Sequence, residues 1–437
     1  LMRLLSRLRH DFAVRLSLAQ LGDSVSVEKL AACIVMANKD TVAAEKSPQS
    51  EGPAPLSLSQ QRLWFLDRLY PGLPIYNIPV ALRIRGPLDV DALTQAFSQL
   101  VSRQESLRTS FPAQAGVPYQ LIHPTPAQVC HVFTLSCDKQ KSLSQRVVET
   151  AQAEALAPFS LESGPLLRVS LGRISASDHL LLITMHHTIS DGWSVRILLQ
   201  ELTELYTAQL HKRAPQLAPL PMLAGDYARW EQQALSSGRF ASGLTYWTAQ
   251  LRAVPNLELP MDRARPAVFS HRGCSLSVQI PAGLADALRM FAKSQGVTLY
   301  MLLLAAWQTL LGRYSGQTDF AVGSPITNRP FSELEPLIGF FVGTIALRAQ
   351  LDMDASFLKL LADTKNRCLS AFAHRDVPFE LIVDAMGPAR ELGRNPLFQV
   401  MFSLDTESTT DLALPDTVIE DVVIDHSLAR FDLTLSI

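Results

Sequence analysis

Two adjacent histidines, His186 and His187, open the run HHTISDGWS at residues 186–194. A neutral imidazole takes a proton from an incoming nucleophile near neutral pH, so the pair suits a base-assisted transfer reaction. The preceding stretch, HLLLITM at 179–185, is short and mainly apolar, as a buried strand would be. After it, Val195, Leu198, Leu199, Leu202, Leu205 and Tyr206 fall on one side of a helix running to Leu210. Side chains alternate along a strand, so neighbouring histidines at its end should point apart, one into a cleft and one inward. A helix starting near Gly192 to Ser194 would aim amide N–H groups and a partial positive charge at the same place. An imidazole beside such donors fits acyl transfer, in which the base takes the proton and the donors favour a developing oxyanion. Paired histidines also occur in cores, and Asp-Gly is common in strand-end loops, so geometry must decide between catalysis and packing. No carboxylate or third histidine lies at a ligand-like spacing, which disfavours a metal.

The chain that must position these residues has 437 of them, enough for about three ordinary domains. Hydrophobic residues make up 47% and charged residues 18%, which excludes global disorder. Lys+Arg 39 against Asp+Glu 41 gives a net charge of −2, which argues against nucleic acid as a partner. The five cysteines are scattered, with no CxxC pair, so a disulfide framework and a cysteine–zinc site are both disfavoured and a reducing cytoplasm is expected. The longest apolar run, Leu299 to Trp307, falls far short of the ~18 residues a membrane span needs, so no membrane partner is expected.

Leu4, Leu5, Leu8 and Phe12, then Val27 to Val35, repeat at helical spacing within residues 1–37. Residues 38–55 are rich in Ala, Ser, Pro, Glu and Lys, a linker composition. Beyond them strand and helix patterns alternate. Ala81 to Arg85, Phe320 to Gly323 and Thr344 to Leu347 read as strands; Val90 to Leu100 and Leu299 to Leu311 read as helices. A proline-rich break at His211 to Met222 divides this region, which is expected to form two α/β lobes. Trp64, Phe65 and Leu66 are expected in the core, and Phe340, Phe341 and Val342 in a buried strand. Arg62 is expected in a surface or inter-element pair, Tyr227 and Trp230 at the lobe junction, and Pro378 in the first turn of a helix.

HHTISDGWS resembles the HHxxxDG active-site motif of the condensation domains of nonribosomal peptide synthetases, relatives of chloramphenicol acetyltransferase. SLSQQRLWFL at 57–66 resembles the family's opening motif, and RQESLRTSF at 103–111 its second. DYARW at 226–230, IGFFVGTIALR at 338–348, HRDVPFELIV at 374–383 and RNPLFQVMF at 394–402 follow in family order.

The resemblance implies two chloramphenicol acetyltransferase-like α/β lobes in a V shape, residues 56–222 and 223–437, with the active site between them. It implies amide-bond formation between two carrier-bound thioesters, with His187 catalytic, as general base or by orienting the amine. His186 and Gly192 would be structural, Gly192 allowing a tight turn. Asp191 would hold the loop through a buried pair with an arginine, either Arg108 or Arg329. The expected partners are upstream and downstream peptidyl carrier proteins, whose phosphopantetheine arms would enter from opposite faces, and an adjacent adenylation domain. No cofactor of the domain's own is implied.

Gln104, Gly343 and Ala224 depart from the residues usual at their motif positions, His, Asn and an aromatic; Gly343 is expected to loosen a local hydrogen-bond network. Epimerisation domains also carry a double histidine. A coenzyme A-dependent acyltransferase would share His187, and a non-catalytic recruitment module would typically lose it. Residues 1–37 resemble the part of a peptidyl carrier protein after its phosphopantetheine-bearing serine. The run RFDLTL at 430–435 resembles a strand beyond which such domains continue, so an internal fragment, truncated at its C-terminus, is expected.

Overall fold

The apolar stretch at 179–185 lies within a nine-residue strand that is buried along all but its first residue. A computed structural model describes residues 27–36, 53–135, 141–387, 393–405, 412–424 and 428–437. Of the carrier-like stretch, only the helix α1 (Val27–Met36) falls within them; residues 1–26 and 37–52 lie outside the described residues.

The first lobe is a sheet of β1 (Asn77–Arg85), β2 (Cys130–Thr134), β3 (Leu167–Ser175) and β4 (Asp178–His186), with one further strand from late in the chain. β4 is central: β1 pairs with it antiparallel from Asn77↔His186 to Arg85↔Asp178, and β3 closes a hairpin on its other side. Both faces of β4 are apolar because both are covered. Leu181, Ile183 and Met185 meet α3 (Val90–Arg103) and α5 (Gly192–Leu210) in the main core. Leu180 and Leu182 meet Val147 and Ala151 of α4 (Leu143–Leu156). The helix α2 (Leu58–Leu69) precedes this sheet and starts at a capping box, with Ser57 accepting from the Gln60 amide.

The second lobe follows the proline-rich break. It contains α6 (Ala224–Ser236), α7 (Ala241–Gln250), α8 (Ala282–Ser294), α9 (Leu299–Ser315), α10 (Phe357–Ala373) and α11 (Phe379–Met386). Its sheet is built on β5 (Asp319–Thr327), β6 (Val342–Gln350) and β7 (Val400–Ser403), after which come β8 (Val418–Asp421) and β9 (Leu433–Ser436). The order is β6-β5-β7-β9, with β5 and β6 antiparallel and β7 parallel to both β5 and β9. Trp247, Leu304, Phe320, Val322, Leu347 and Phe402 share its core.

Gly323 shows how tightly this sheet is packed. A Cβ there would lie 2.2 Å from the ring of the buried Phe398. Gly323→Ala should therefore cost about 1–3 kcal/mol by overpacking. Thermal melting checks this; an unchanged midpoint would mean that the ring moves aside freely.

Late residues return to the first lobe: β8 pairs antiparallel with β1, and Leu412 and Leu414 join its core. The placement of individual residues departs from the sequence expectations in the following ways. Phe65 is 59% exposed, because on α2 it is Leu63 that faces inward. Phe340 and Phe341 are buried, but in the loop before β6, which starts at Val342. Pro378 is the N-cap of α11 rather than part of its first turn.

Candidate active site

β4 carries the two histidines to the seam between the lobes. The His186 amide donates to Leu166 O at 2.9 Å and the His187 amide to Tyr76 O at 2.8 Å, so the strand end is tied to its neighbours on both sides. The two rings then face different surroundings, as strand alternation requires. His186 is buried, edge-on to Tyr76 and Phe159. Its Nδ1 accepts from the Thr188 amide at 3.2 Å and lies 2.9 Å from the Thr188 hydroxyl, which leaves Nε2 as the protonated nitrogen of the neutral ring.

His187 has the opposite tautomer. Its Nδ1 lies 2.9 Å from the Ser190 carbonyl, and a carbonyl only accepts. Nδ1 therefore carries the proton and Nε2 presents a lone pair. The ring is half-buried and stands 4.9 Å from Phe340, which comes from the second lobe. Burial, then the charge of Arg430, push its pKa down to about 3, with Arg62 adding to the effect. Burial, then the neighbouring His187 and Arg430, bring His186 to about 3 as well.

These shifts have a stability consequence. Between the ordinary pKa near 6.5 and the folded value near 3, the unfolded chain binds protons that the folded chain does not. Stability should therefore fall as pH falls through that window. Urea midpoints measured from pH 7 to 4 check the sign, and a midpoint rising on acidification would contradict neutral burial of His186.

Asp191 is fully buried and serves the fold. As N-cap of α5, its Oδ1 accepts from the Ser194 amide at 2.8 Å and hydroxyl at 2.7 Å. Its Oδ2 accepts from the Phe341 amide, across the seam, at 3.0 Å. The arginine beside it is Arg329, whose Nη2 lies 3.4 Å from Oδ1. Nη1 of Arg329 donates to the carbonyls of Leu334 and Leu337, and the guanidinium lies 4.3 Å from the Phe341 ring centre. Arg108 is not the partner. It donates to the His123 carbonyl at 2.6 Å and faces Glu105 at 3.6 Å, away from Asp191. The helix start also differs from expectation, since the Ser194 amide that was to face a substrate is taken by Asp191. A Cβ at Gly192 would meet nothing within 4 Å, so this glycine leaves open space at the helix start; a tight turn does not require it.

Sequence reasoning missed several residues that hold this arrangement. Gln60 donates from Nε2 to the Thr188 carbonyl at 3.0 Å, fixing the histidine loop to α2. Gln104 sits buried at the end of α3, where it donates to the Pro336 carbonyl and accepts from the Ile338 amide, both at 3.1 Å. Ser106 donates to the Ile338 carbonyl at 2.7 Å, and Trp193 Nε1 to the Glu335 carbonyl at 3.0 Å. The segment before β6 is thus clamped to the first lobe on both sides of the histidines. The one available signal was that Gln104, Ser106 and Trp193 lie within motifs. Arg62, by contrast, meets the expectation of an inter-element pair, 3.5 Å from Glu380 of α11.

Among the described residues there is no cluster of His, Cys, Asp and Glu able to hold a metal, and no helix long and apolar enough to cross a membrane.

The family model described as Condensation domain matches residues 50–437. The chain is 40% identical to a linear gramicidin synthase protein of Brevibacillus parabrevis over 99% of its own length and 6% of that protein's. It is 39% identical to the phosphinothricin tripeptide synthetase PhsC of Streptomyces viridochromogenes, over 89% of this chain and 36% of the relative. It therefore spans only a small part of the curated relatives it matches. Among solved structures, the X-domain from teicoplanin biosynthesis is 30% identical with a TM-score of 0.80, covering 89% of this chain and 86% of that one. The first condensation domain of the CDA synthetase shares the fold, with a TM-score of 0.73 at 20% identity over 88% of this chain and 87% of that one.

Proposed function

This chain belongs to the condensation-domain family of nonribosomal peptide synthetases, and from that premise we propose that it joins two carrier-bound thioesters by an amide bond. An upstream carrier presents an acyl or peptidyl thioester, and a downstream carrier presents an aminoacyl thioester whose α-amine attacks it. The phosphopantetheine arms belong to the carriers and bring both substrates to the seam between the lobes. In this reading residues 56–222 and 223–437 are the two lobes, and residues 1–37 are the end of a preceding carrier. An adjacent adenylation domain would load the acceptor. The reaction is assigned to the cytoplasm, consistent with free thiols at Cys130, Cys274 and Cys368.

The observation that carries the proposal is the tautomer of His187. With Nδ1 committed to Ser190, its Nε2 lone pair is the part of the ring left to meet an amine. An α-amine with a pKa near ~8 needs little driving force to lose its proton, so holding it in line is a large part of the task. Asp191, Arg329 and His186 support the loop, Gly192 leaves space beside it, and none of them takes part in proton transfer. A charge-paired carboxylate that already accepts from amides is a poor base.

The test supplies the chain with a donor carrier and an aminoacylated acceptor carrier and detects dipeptidyl thioester by mass spectrometry. Product that forms equally from a free coenzyme A thioester would shift the assignment to a different acyltransferase. A second reading, a docking module without activity, draws on the likeness to the teicoplanin X-domain, which has been solved in complex with OxyB. The presence of His187 and its free Nε2 favours catalysis, and absence of any product in the same assay would favour docking.

A further inference from the structure

The developing negative charge of the proposed reaction needs a donor, and the Ser194 amide at the start of α5 is already taken by Asp191. One cation near His187 is placed to meet it. Arg430 belongs to the second lobe: its carbonyl accepts from Asn395 at 2.8 Å, and Phe431 beside it packs 5.6 Å from Phe398. Its side chain crosses to the first lobe. Nε donates to the Ile75 carbonyl at 3.0 Å, and the guanidinium lies 5.1 Å from the centre of the Tyr76 ring. The Tyr76 carbonyl is the acceptor for the His187 amide, so arginine and imidazole are fixed to the same dipeptide.

Among the described residues no carboxylate faces Arg430. The charged and titratable groups that act on it are Tyr76, Arg62, His186 and His187. Arg62 has a counter-ion in Glu380, whereas Arg430 has none among the described residues. Nor, among these residues, does an acceptor take either Nη group, and neither is shut away from solvent. A guanidinium kept partly dehydrated without a counter-ion is unfavourable at rest and gains most when an anion forms beside it.

We propose that Arg430 donates its Nη groups to the carbonyl oxygen of the donor thioester as that oxygen becomes an oxyanion. This rests on the condensation reading above. The amine nitrogen bonds to the carbonyl carbon, and the carbonyl π pair moves to oxygen, where Arg430 meets it. His187 Nε2 accepts a hydrogen bond from the attacking N–H and holds it in line. Collapse re-forms the carbonyl, breaks the C–S bond and releases the donor thiolate, which takes up the amine proton as thiol.

The test compares the parent chain with Arg430→Met, Arg430→Gln and Arg430→Lys, using loaded carriers under single turnover. Loss of one oxyanion donor is expected to slow the chemical step by about 10²–10³ while leaving the KM for the carriers unchanged. Arg430→Lys should recover part of the rate. Arg430→Gln keeps a donor for Ile75 and so separates folding from chemistry: it should melt like the parent and still be slow. Rates for Met and Gln variants within about threefold of the parent, or a loss confined to KM, overturn the Arg430 assignment and leave the condensation reading standing. No amide from the parent chain overturns both.

Discussion

His187→Ala should abolish dipeptidyl product while leaving the fold intact. The ring contributes one hydrogen bond, to Ser190, and one edge contact, to Phe340, so its removal leaves no buried charge unpaired. The chemical step, in contrast, loses the imidazole lone pair aimed at the seam, worth about 10²–10⁴ in rate for a positioned base. His187→Asn sharpens the test, since its amide can still donate towards Ser190 but places nothing at Nε2; it should be as inactive as the alanine variant. The pH profile follows from the direction of the shift. A pKa lowered to about 3 means that acidification does not protonate His187 before the acceptor amine is protonated. The acid limb of the parent's rate should therefore track the amine, near ~8, with no second limb at the ordinary histidine value. Turnover by His187→Asn at the parental rate would remove Nε2 from the mechanism, whereas a limb near ~6.5 would mean that the ring titrates at its ordinary value.

Much of this site was legible in the sequence, and the exceptions share a cause. The strand β4 and helix α5 were readable because each buries a continuous apolar pattern with its own period, and the histidines sit where one period gives way to the other. That placement alone implied divergent rings. The residues that complete the site come from far along the chain and leave no periodic trace. Arg329 lies 138 positions from Asp191, Ile338 lies 234 from Gln104, and Arg430 lies 355 from Ile75. The family resemblance narrowed the partner of Asp191 to two arginines but could not choose, because both are equally arginine until the loop before β6 is folded over the seam. Phe65 failed for a different reason: a short amphipathic helix exposes one large apolar residue when its neighbour, Leu63, takes the buried side. The expectation at the start of α5 failed because the aspartate meant to hold the loop also caps the helix, so the same amide could not serve a substrate.

Asp191→Ala should then damage stability more than any other single change at the seam. It strips the acceptor from four buried donors at once: the Ser194 amide and hydroxyl, the Phe341 amide and the Arg329 guanidinium. Breaking a buried pair by deleting one partner typically costs about 3–5 kcal/mol, because the other charge stays behind without compensation. In a unit of this size that is a fall of about 10 °C in melting temperature. Arg329→Met alone should also destabilise, since it removes the bonds to the Leu334 and Leu337 carbonyls and leaves the carboxylate unpaired. The double variant discriminates between a true pair and two independent contacts. With both charges gone, neither leaves the other buried without its partner, so the loss should be smaller than the sum of the singles by about 1 kcal/mol or more. Activity should follow the same order, because the link from Asp191 to Phe341 places Phe340 against the His187 ring. Strict additivity in the cycle, or an unchanged melt for Asp191→Ala, would mean that the lobes are held together by their other contacts, the clamp of Gln104, Ser106 and Trp193 among them.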